Sequence, residues 1–243
     1  MKRFLLTILV AAAVMAVSGC ARKSPGAELK PTAFGSALVE SSGGKQIGLV
    51  GAALAQPLVV QVNDDQGAAV PGALVDFSGP AGITFDPAKA ITDSSGQVTT
   101  NVALGGMAGR YELTATTFSK AHKIINLKLE EIALGYQQQL GQQLNERYCS
   151  RCHDPESTPE RVSNYDNLEV KPHPFTEGEA LNKLSDADLT AIISHGGPAL
   201  NKSVLMPPYG LTLSKAEIQA LISYIRLVSD PPYQVSQMVY GGK

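Results

Sequence analysis

A single pentapeptide, Cys149-Ser150-Arg151-Cys152-His153, constrains this chain more than any other feature. It places two thiols three positions apart, with a histidine directly after the second thiol. This spacing is the attachment signature of c-type haem, in which each thiol forms a thioether and the histidine binds the iron. C-x-x-C pairs also occur in zinc sites and in thiol redox sites. The chain has three cysteines, so no second pair exists for a four-thiolate zinc site, and we expect one covalently bound haem c.

A methionine in a stiff loop is the predicted second axial ligand. Met206 follows His153 by 53 residues and directly precedes Pro207 and Pro208. Prolines fix the backbone and remove hydrogen-bond donors, so such a loop can hold a sulfur over the iron at low entropic cost. A histidine and a thioether form a known axial pair that raises the reduction potential. Two alternatives stay open: Met206 as a methionine that fills the core, and His173 as the sixth ligand.

The N-terminus has the layout of a bacterial export signal. A short basic region precedes an almost unbroken apolar stretch over residues 4–17. This stretch is shorter than the ~20 residues of a transmembrane helix, and the pattern predicts a signal peptide over residues 1–19. The segment Val17–Cys20 resembles the lipobox of bacterial lipoproteins. That resemblance implies a lipid anchor on Cys20, and the alternative is an ordinary signal peptide with an incidental cysteine.

Charge and composition narrow the partners and the location. The net charge of −2 and the absence of a long basic run give no support for nucleic-acid binding. The expected partners are redox proteins, together with a membrane that holds the anchor. Arg22, two places after Cys20, favours the outer membrane by the enterobacterial sorting rule. We therefore expect a location in the bacterial cell envelope, facing the periplasm or the cell surface. Residues 20–45 are polar and contain a Ser-Ser-Gly-Gly run, which predicts a flexible tether after the lipidated N-terminus.

Residues 46–130 have the pattern of short strands separated by turn clusters, which predicts an all-β sandwich. The stretches Leu54–Val60, Asp65–Gly67 and Gly109–Ala115 resemble the bacterial Ig-like repeat of invasin- and intimin-type surface proteins. The resemblance implies an Ig-like domain that serves as a spacer or docking module and carries no catalytic residues. The predicted strands cover residues 58–62, 73–77, 97–102, 110–116 and 123–129.

Residues 131–243 carry helical signals instead and end in a C-terminal tail. Ser185 and Ser214 each precede an acidic residue by three positions, which predicts the start of a helix at each serine. Gly141 lies eight residues before Cys149, and the region resembles class I cytochrome c, in which a small residue there allows the first helix to cross the last. Asn145 departs from that family, which has an aromatic residue at its position. The fold class that we expect is multidomain: an all-β Ig-like sandwich followed by an all-α cytochrome c domain.

The residues and the resemblances together imply an electron carrier rather than an enzyme. With both axial positions filled, a substrate has no place on the iron, and the sequence has no Ser-His-Asp, paired-carboxylate or phosphate-loop pattern elsewhere. Three other functions stay open at this point. The chain could be a haem-based sensor of small ligands, a surface interaction module with an accessory haem, or the haem subunit of a larger redox enzyme.

Overall fold

The computed structural model describes residues 29–155 and 163–234. Cys20 and the predicted signal peptide over residues 1–19 therefore lie outside the described residues. Within the described ranges, no helix is long and apolar enough to cross a membrane.

The first half of the described chain is β-rich, as predicted. Its nine strands are β1 Ala37–Ser42, β2 Ile47–Leu49, β3 Leu58–Asn63, β4 Leu74–Ser78, β5 Thr84–Asp86, β6 Lys89–Ile91, β7 Gln97–Ala103, β8 Gly109–Phe118 and β9 Ile124–Leu134. They form a four-stranded sheet in the order β1-β3-β7-β5 and a five-stranded sheet in the order β2-β9-β8-β4-β6. The strand pairs within these sheets are antiparallel except for β2 with β9.

The core of this domain lies between the two sheets. Along β3, alternate residues are fully buried, and the residues between them are partly exposed. The opposite sheet supplies inward-facing residues at the same spacing, because successive side chains of a strand point to opposite faces. Burial of each such side chain contributes ~1.5–3 kcal/mol. The fully buried aliphatic residues include Leu58, Val60, Val62, Val75 and Leu113.

Two boundaries differ from the sequence prediction. The strand β1 lies inside residues 20–45, for which the composition predicted a flexible tether, and it pairs with β3. In β1 only Leu38 is buried, and the residues after Val39 are polar or small. The strand therefore shows no alternation of apolar and polar residues that would predict it. The strand β9 continues to Leu134 and so crosses the predicted domain boundary between residues 130 and 131.

The second half is helical with long loops between the helices. It contains α1 Tyr136–Leu144, a π-helical turn Asn145–Cys149, α2 Ser150–His153, α3 Gly178–Leu181, α4 Asp186–His195 and α5 Lys215–Val228, with 3-10 turns at Tyr165–Asn167 and Gly197–Leu200. Both predicted helix starts are confirmed. Ser185 and Ser214 each form a reciprocal capping box with the acidic residue three positions later.

The helices α1 and α5 cross at Gly141, as the resemblance to class I cytochrome c predicted. A Cβ atom on Gly141 would lie 2.2 Å from the carbonyl oxygen of Ala220 and 2.6 Å from Cβ of Tyr224, so only glycine permits this approach. Asn145, at the family's aromatic position, is buried, and its Oδ1 has no hydrogen-bond partner among the described residues.

The β-rich and helical regions are in direct contact. Ile132 and Leu134 of β9 belong to the apolar core of the helices rather than to the core between the sheets. From β8, Arg110 donates to the carbonyl oxygen of Leu227 at 3.1 Å and to that of Ser229 at 2.5 Å, at the end of α5. Arg110 also pairs with Glu130.

Candidate haem site

The three residues of the predicted attachment motif lie on one short helical segment. We call residues 145–153 the attachment segment: α1 runs into a π-helical turn that ends at Cys149, and α2 follows directly and ends at His153. Cys149 is buried, Cys152 is partly buried, and both are free thiols. Residues four positions apart in a helix share a face. The segment therefore places Cys149 and His153 one above the other.

A hydrogen bond fixes the orientation of the His153 ring. Its Nδ1 atom lies 2.8 Å from the carbonyl oxygen of His173. A carbonyl oxygen only accepts, so Nδ1 carries the hydrogen and the lone pair of the neutral ring lies on Nε2. The Phe175 ring packs against the imidazole, with 5.1 Å between the ring centroids and 46° between the planes. An imidazole held in this tautomer can bind a metal through Nε2.

The sequence did not identify the acceptor for His153, because that acceptor is a backbone atom far from the motif. The structure places it 20 residues away, at His173. The signal that could have found it is Pro174, since the residue before a proline avoids the helical conformation and leaves its carbonyl oxygen free of helical bonds. The ring of His173, the rival sixth ligand in the sequence analysis, has its Nδ1 atom 3.0 Å from Oε2 of Glu177.

Burial shifts the pKa values of two groups at the site, His153 and Cys149. Burial lowers the pKa of His153, against smaller raising effects from the His173 carbonyl oxygen and from Asp154. The ring is therefore neutral at pH 7, and its lone pair is available to a metal. Burial also raises the pKa of the Cys149 thiol to about 12. Thiol redox sites react through the thiolate, so this environment disfavours the alternative of a dithiol redox centre.

Met206 lies in a loop that is fastened to α4 and to the turn after it. We call residues 203–210 the Met206 loop. The carbonyl oxygen of Met206 accepts from Gly197 N–H at 3.0 Å, and Tyr209 N–H donates to Ile193 O at 2.9 Å. Gly196 has a φ of +82°, and a Cβ atom there would lie 2.7 Å from the Met206 carbonyl oxygen. The glycine is thus required both for its backbone conformation and for the close approach of the loop.

Tyr209 connects the Met206 loop with the attachment segment. Its hydroxyl donates to the carbonyl oxygen of Tyr148 at 2.9 Å. The two tyrosine rings meet edge to face, with their centroids 5.8 Å apart. Burial raises the pKa of Tyr209, so the hydroxyl keeps its proton and can donate. Sequence reasoning gave Tyr209 no role, because nothing in its local pattern distinguishes it from a core aromatic residue.

The donor set fits a covalently attached haem. Two free thiols stand on the attachment segment, a neutral imidazole is oriented by a backbone acceptor, and a thioether lies on a loop that contacts the same segment. Met206 is partly buried. Two further histidines are exposed: His195 at the end of α4 and His122 in the turn between β8 and β9.

The sequence of the helical region matches a known family. Residues 137–225 match the family model described as cytochrome c oxidase, cbb3-type, subunit III. This region is a cytochrome c-type domain. A domain of this type is an electron-transferring haem domain, which agrees with the donor set on the attachment segment. No curated protein matches the chain significantly.

The β-rich region is similar to parts of several solved structures. The D00-D0 domain of intimin matches with 15% identity and a TM-score of 0.32, over 45% of this chain and 52% of that structure. The adhesin InvE of Yersinia pseudotuberculosis matches with 14% identity and a TM-score of 0.31, over 41% of this chain and 32% of that structure. Invasin, described as a bacterial integrin-binding protein, matches with 18% identity and a TM-score of 0.30, over 40% of this chain and 19% of that structure. The chain spans about half the length of the intimin fragment.

Proposed function

We propose that this protein is a monohaem c-type cytochrome that carries single electrons outside the cytoplasm and is held to a membrane by a lipid on Cys20. In this proposal Cys149 and Cys152 attach the haem covalently, and His153 and Met206 are its axial ligands. The observation that carries the proposal is the hydrogen bond from His153 Nδ1 to the His173 carbonyl oxygen, beside two free thiols. When bound, the haem supplies reversible one-electron exchange at its iron.

The residues of the chain have separate tasks in this proposal. The hydrogen bond and the Phe175 ring keep the His153 imidazole in one plane, so that little reorganisation accompanies a change of charge nearby. With Met206 as the second axial ligand, the proposed haem would have no open position for an external ligand. A site closed on both sides favours electron transfer over ligand sensing, because a sensor needs an open or labile position.

The first experiment is an absorption spectrum of the full chain, matured in a host that attaches c-type haem, in the oxidised form and in the reduced form under CO. We expect a methionine-to-iron charge-transfer band and no CO adduct. A high-spin spectrum, or ready CO binding, would favour the sensor and would remove Met206 from the proposed ligand set.

Replacing the methionine tests the ligand assignment directly. Met206→Ala should abolish the charge-transfer band, lower the reduction potential and admit CO, because the thioether sulfur is gone. Met107→Ala is a matched control, since Met107 is 77% exposed in the β-rich region. An unchanged spectrum and potential in Met206→Ala would contradict the assignment.

The anchor and the location need a test of their own. We propose lipidation of Cys20, with the Ig-like domain acting as a spacer or docking module in the cell envelope. Labelling with a radioactive fatty acid should mark the full chain, and Cys20→Ser should lose both the label and the association with outer-membrane fractions. A labelled Cys20→Ser protein would contradict the lipidation of this residue.

The family match favours one variant of this function. The matched family is named for a subunit of a cytochrome c oxidase, so the domain could pass electrons within a larger redox complex rather than between separate proteins. Purification from native membranes under mild detergent separates these two possibilities. Stoichiometric recovery with other redox subunits supports the complex, and recovery of the chain alone supports the separate carrier.

A further inference from the structure

The Met206 loop is fastened to its own side of the site by backbone hydrogen bonds. Gly197, Tyr209 and Gly210 supply the N–H groups, and the acceptors are the carbonyl oxygens of Met206, Ile193 and Ser194, at 2.9–3.0 Å. These bonds hold the loop against the end of α4 and the turn that follows. They do not set the distance between the loop and the segment that carries Cys149, Cys152 and His153.

The side chain of Tyr209 reaches across to that segment. Its hydroxyl donates at 2.9 Å to the carbonyl oxygen of Tyr148, the residue immediately before Cys149. A carbonyl oxygen has two lone pairs, so it can accept a side-chain bond in addition to a helical one. The edge-to-face contact of the two rings restricts rotation of the Tyr209 side chain. The contact thus links the Met206 loop to the attachment segment.

The sequence between Met206 and Tyr209 is short and stiff. It consists of two prolines, each of which fixes its own φ angle near −65°. Because two of the dihedral angles between Tyr209 and Met206 are fixed, the backbone between them absorbs less of a displacement at Tyr209 than an ordinary loop would. The contact that Tyr209 makes therefore constrains Met206 in addition to the backbone hydrogen bonds of the loop.

We propose that Tyr209 is the positioning residue for Met206. Its hydroxyl bond to the Tyr148 carbonyl oxygen holds the methionine loop on the attachment segment and keeps the thioether bound to the haem iron. The inference rests on the proposed function, since it takes Met206 as an axial ligand. The residue acts through Met206 and does not itself touch the iron.

Paired conservative substitutions test this role in the haem-loaded full chain. Tyr209→Phe keeps the ring and removes the donor, whereas Tyr148→Phe keeps the acceptor, which is a backbone atom. We expect Tyr209→Phe to bind added imidazole about 2- to 10-fold more tightly in the ferric state, which corresponds to the loss of one hydrogen bond that opposes displacement of the methionine. Its charge-transfer band should also disappear at a lower temperature. Tyr148→Phe should match the wild type in both measurements.

Imidazole affinity and band stability that are equal in Tyr209→Phe and Tyr148→Phe would overturn the proposal. Met206→Ala, measured in parallel, separates this failure from failure of the proposed function. If Met206→Ala removes the band but Tyr209→Phe behaves as the wild type, the ligand assignment stands and the positioning role is refuted. If Met206→Ala leaves the band in place, the ligand assignment fails and the positioning role fails with it.

A second measurement does not depend on the haem spectrum. Amide hydrogen exchange at Gly197, whose N–H binds the Met206 carbonyl oxygen, reports the docking of the loop. We expect exchange at Gly197 to be about 2- to 10-fold faster in Tyr209→Phe than in Tyr148→Phe. Equal protection in the two variants would count against the positioning role even if Tyr209→Phe incorporated haem poorly.

Discussion

Glu131 is a fully buried carboxyl group whose titration should dominate the pH dependence of stability. It lies on β9, and one of its oxygens accepts from Gln46 N–H at 2.7 Å. The other oxygen has no hydrogen-bond partner among the described residues. Burial raises the pKa of Glu131 to about 7, and the nearby charge of Glu40 adds to this, against lowering by the backbone N–H groups of Gln46 and Lys45.

The size and sign of the effect follow from these values. The unfolded chain releases the Glu131 proton near the ordinary pKa of 4.5, and the folded chain holds it until about pH 7. Between these values the folded state binds more protons, so the free energy of unfolding falls as the pH rises. The stabilisation is complete below pH 4.5 and is lost above pH 7. At ~1.4 kcal/mol for each pKa unit, the loss is about 3 kcal/mol.

Glu131→Gln isolates this contribution, because glutamine keeps an oxygen for Gln46 N–H and carries no titrating proton. We subtract the unfolding free energy of the wild type from that of the variant at each pH. This difference should rise by about 3 kcal/mol between pH ~4.5 and a pH above ~7, because only the wild type loses stability over that range. Urea denaturation followed by far-ultraviolet circular dichroism measures this, since the chain has no tryptophan for fluorescence.

A matched control lies on the neighbouring strand. Glu112 is exposed and pairs with Lys128 at the surface, so Glu112→Gln should leave the pH dependence of the wild type unchanged. Glu40→Gln removes the nearby charge and should reduce the slope in part. If the unfolding free energies of Glu131→Gln and the wild type change in parallel with pH from ~4.5 to ~8, the raised pKa of Glu131 is refuted.

Three further substitutions test the packing, capping and interdomain contacts. Gly141→Ala should cost about 1–3 kcal/mol in urea denaturation, because its Cβ atom would meet the Ala220 carbonyl oxygen at 2.2 Å. Gly106→Ala, whose Cβ atom meets nothing within 4 Å, is the control, and equal losses in both variants would contradict the argument. Ser214→Ala should cost about 1 kcal/mol by the same assay, with most of it restored in Ser214→Asp. Arg110→Met should speed amide exchange in the last turn of α5 about 10-fold, because the variant loses two charged hydrogen bonds to the end of that helix. Unchanged exchange there would show that Arg110 does not hold the end of α5.

The elements that the sequence predicted well are those with strong local patterns. The strands β3, β7 and β8 alternate cleanly, and the helices α4 and α5 begin with complete capping boxes. In each case the residues that determine the element lie within a few positions of one another. The sequence missed β2, β5 and β6, which have three residues each and are too short to show an alternating pattern. They are held by pairing with other strands, and the partner of β2 lies 85 residues away.

The candidate site also contains residues that the local sequence predicted and contacts that it did not. Cys149, Cys152 and His153 were predicted because adjacent positions in the chain form one short helical segment. The His173 carbonyl oxygen and the Tyr209 hydroxyl were not, since their partners lie 20 and 61 residues away. In addition, a backbone carbonyl oxygen can accept a hydrogen bond whatever the side chain of its residue is, so the residue type does not indicate this role. The sequence therefore predicted the groups proposed to bind the haem, but not the contacts that orient them.

The end of β9 has a consequence for how this protein loses its structure. Ile132 and Leu134 are part of a strand of the β-rich domain, yet their side chains fill the core of the helices. Two such side chains contribute ~3–6 kcal/mol, a large share of the ~5–15 kcal/mol that holds a typical domain folded. Fraying of the sheet would withdraw these side chains from the helices, and melting of the helices would expose them to water. We therefore expect the two domains to melt in a single cooperative transition, and we expect the helical domain to be markedly weaker when it is excised at residue 135.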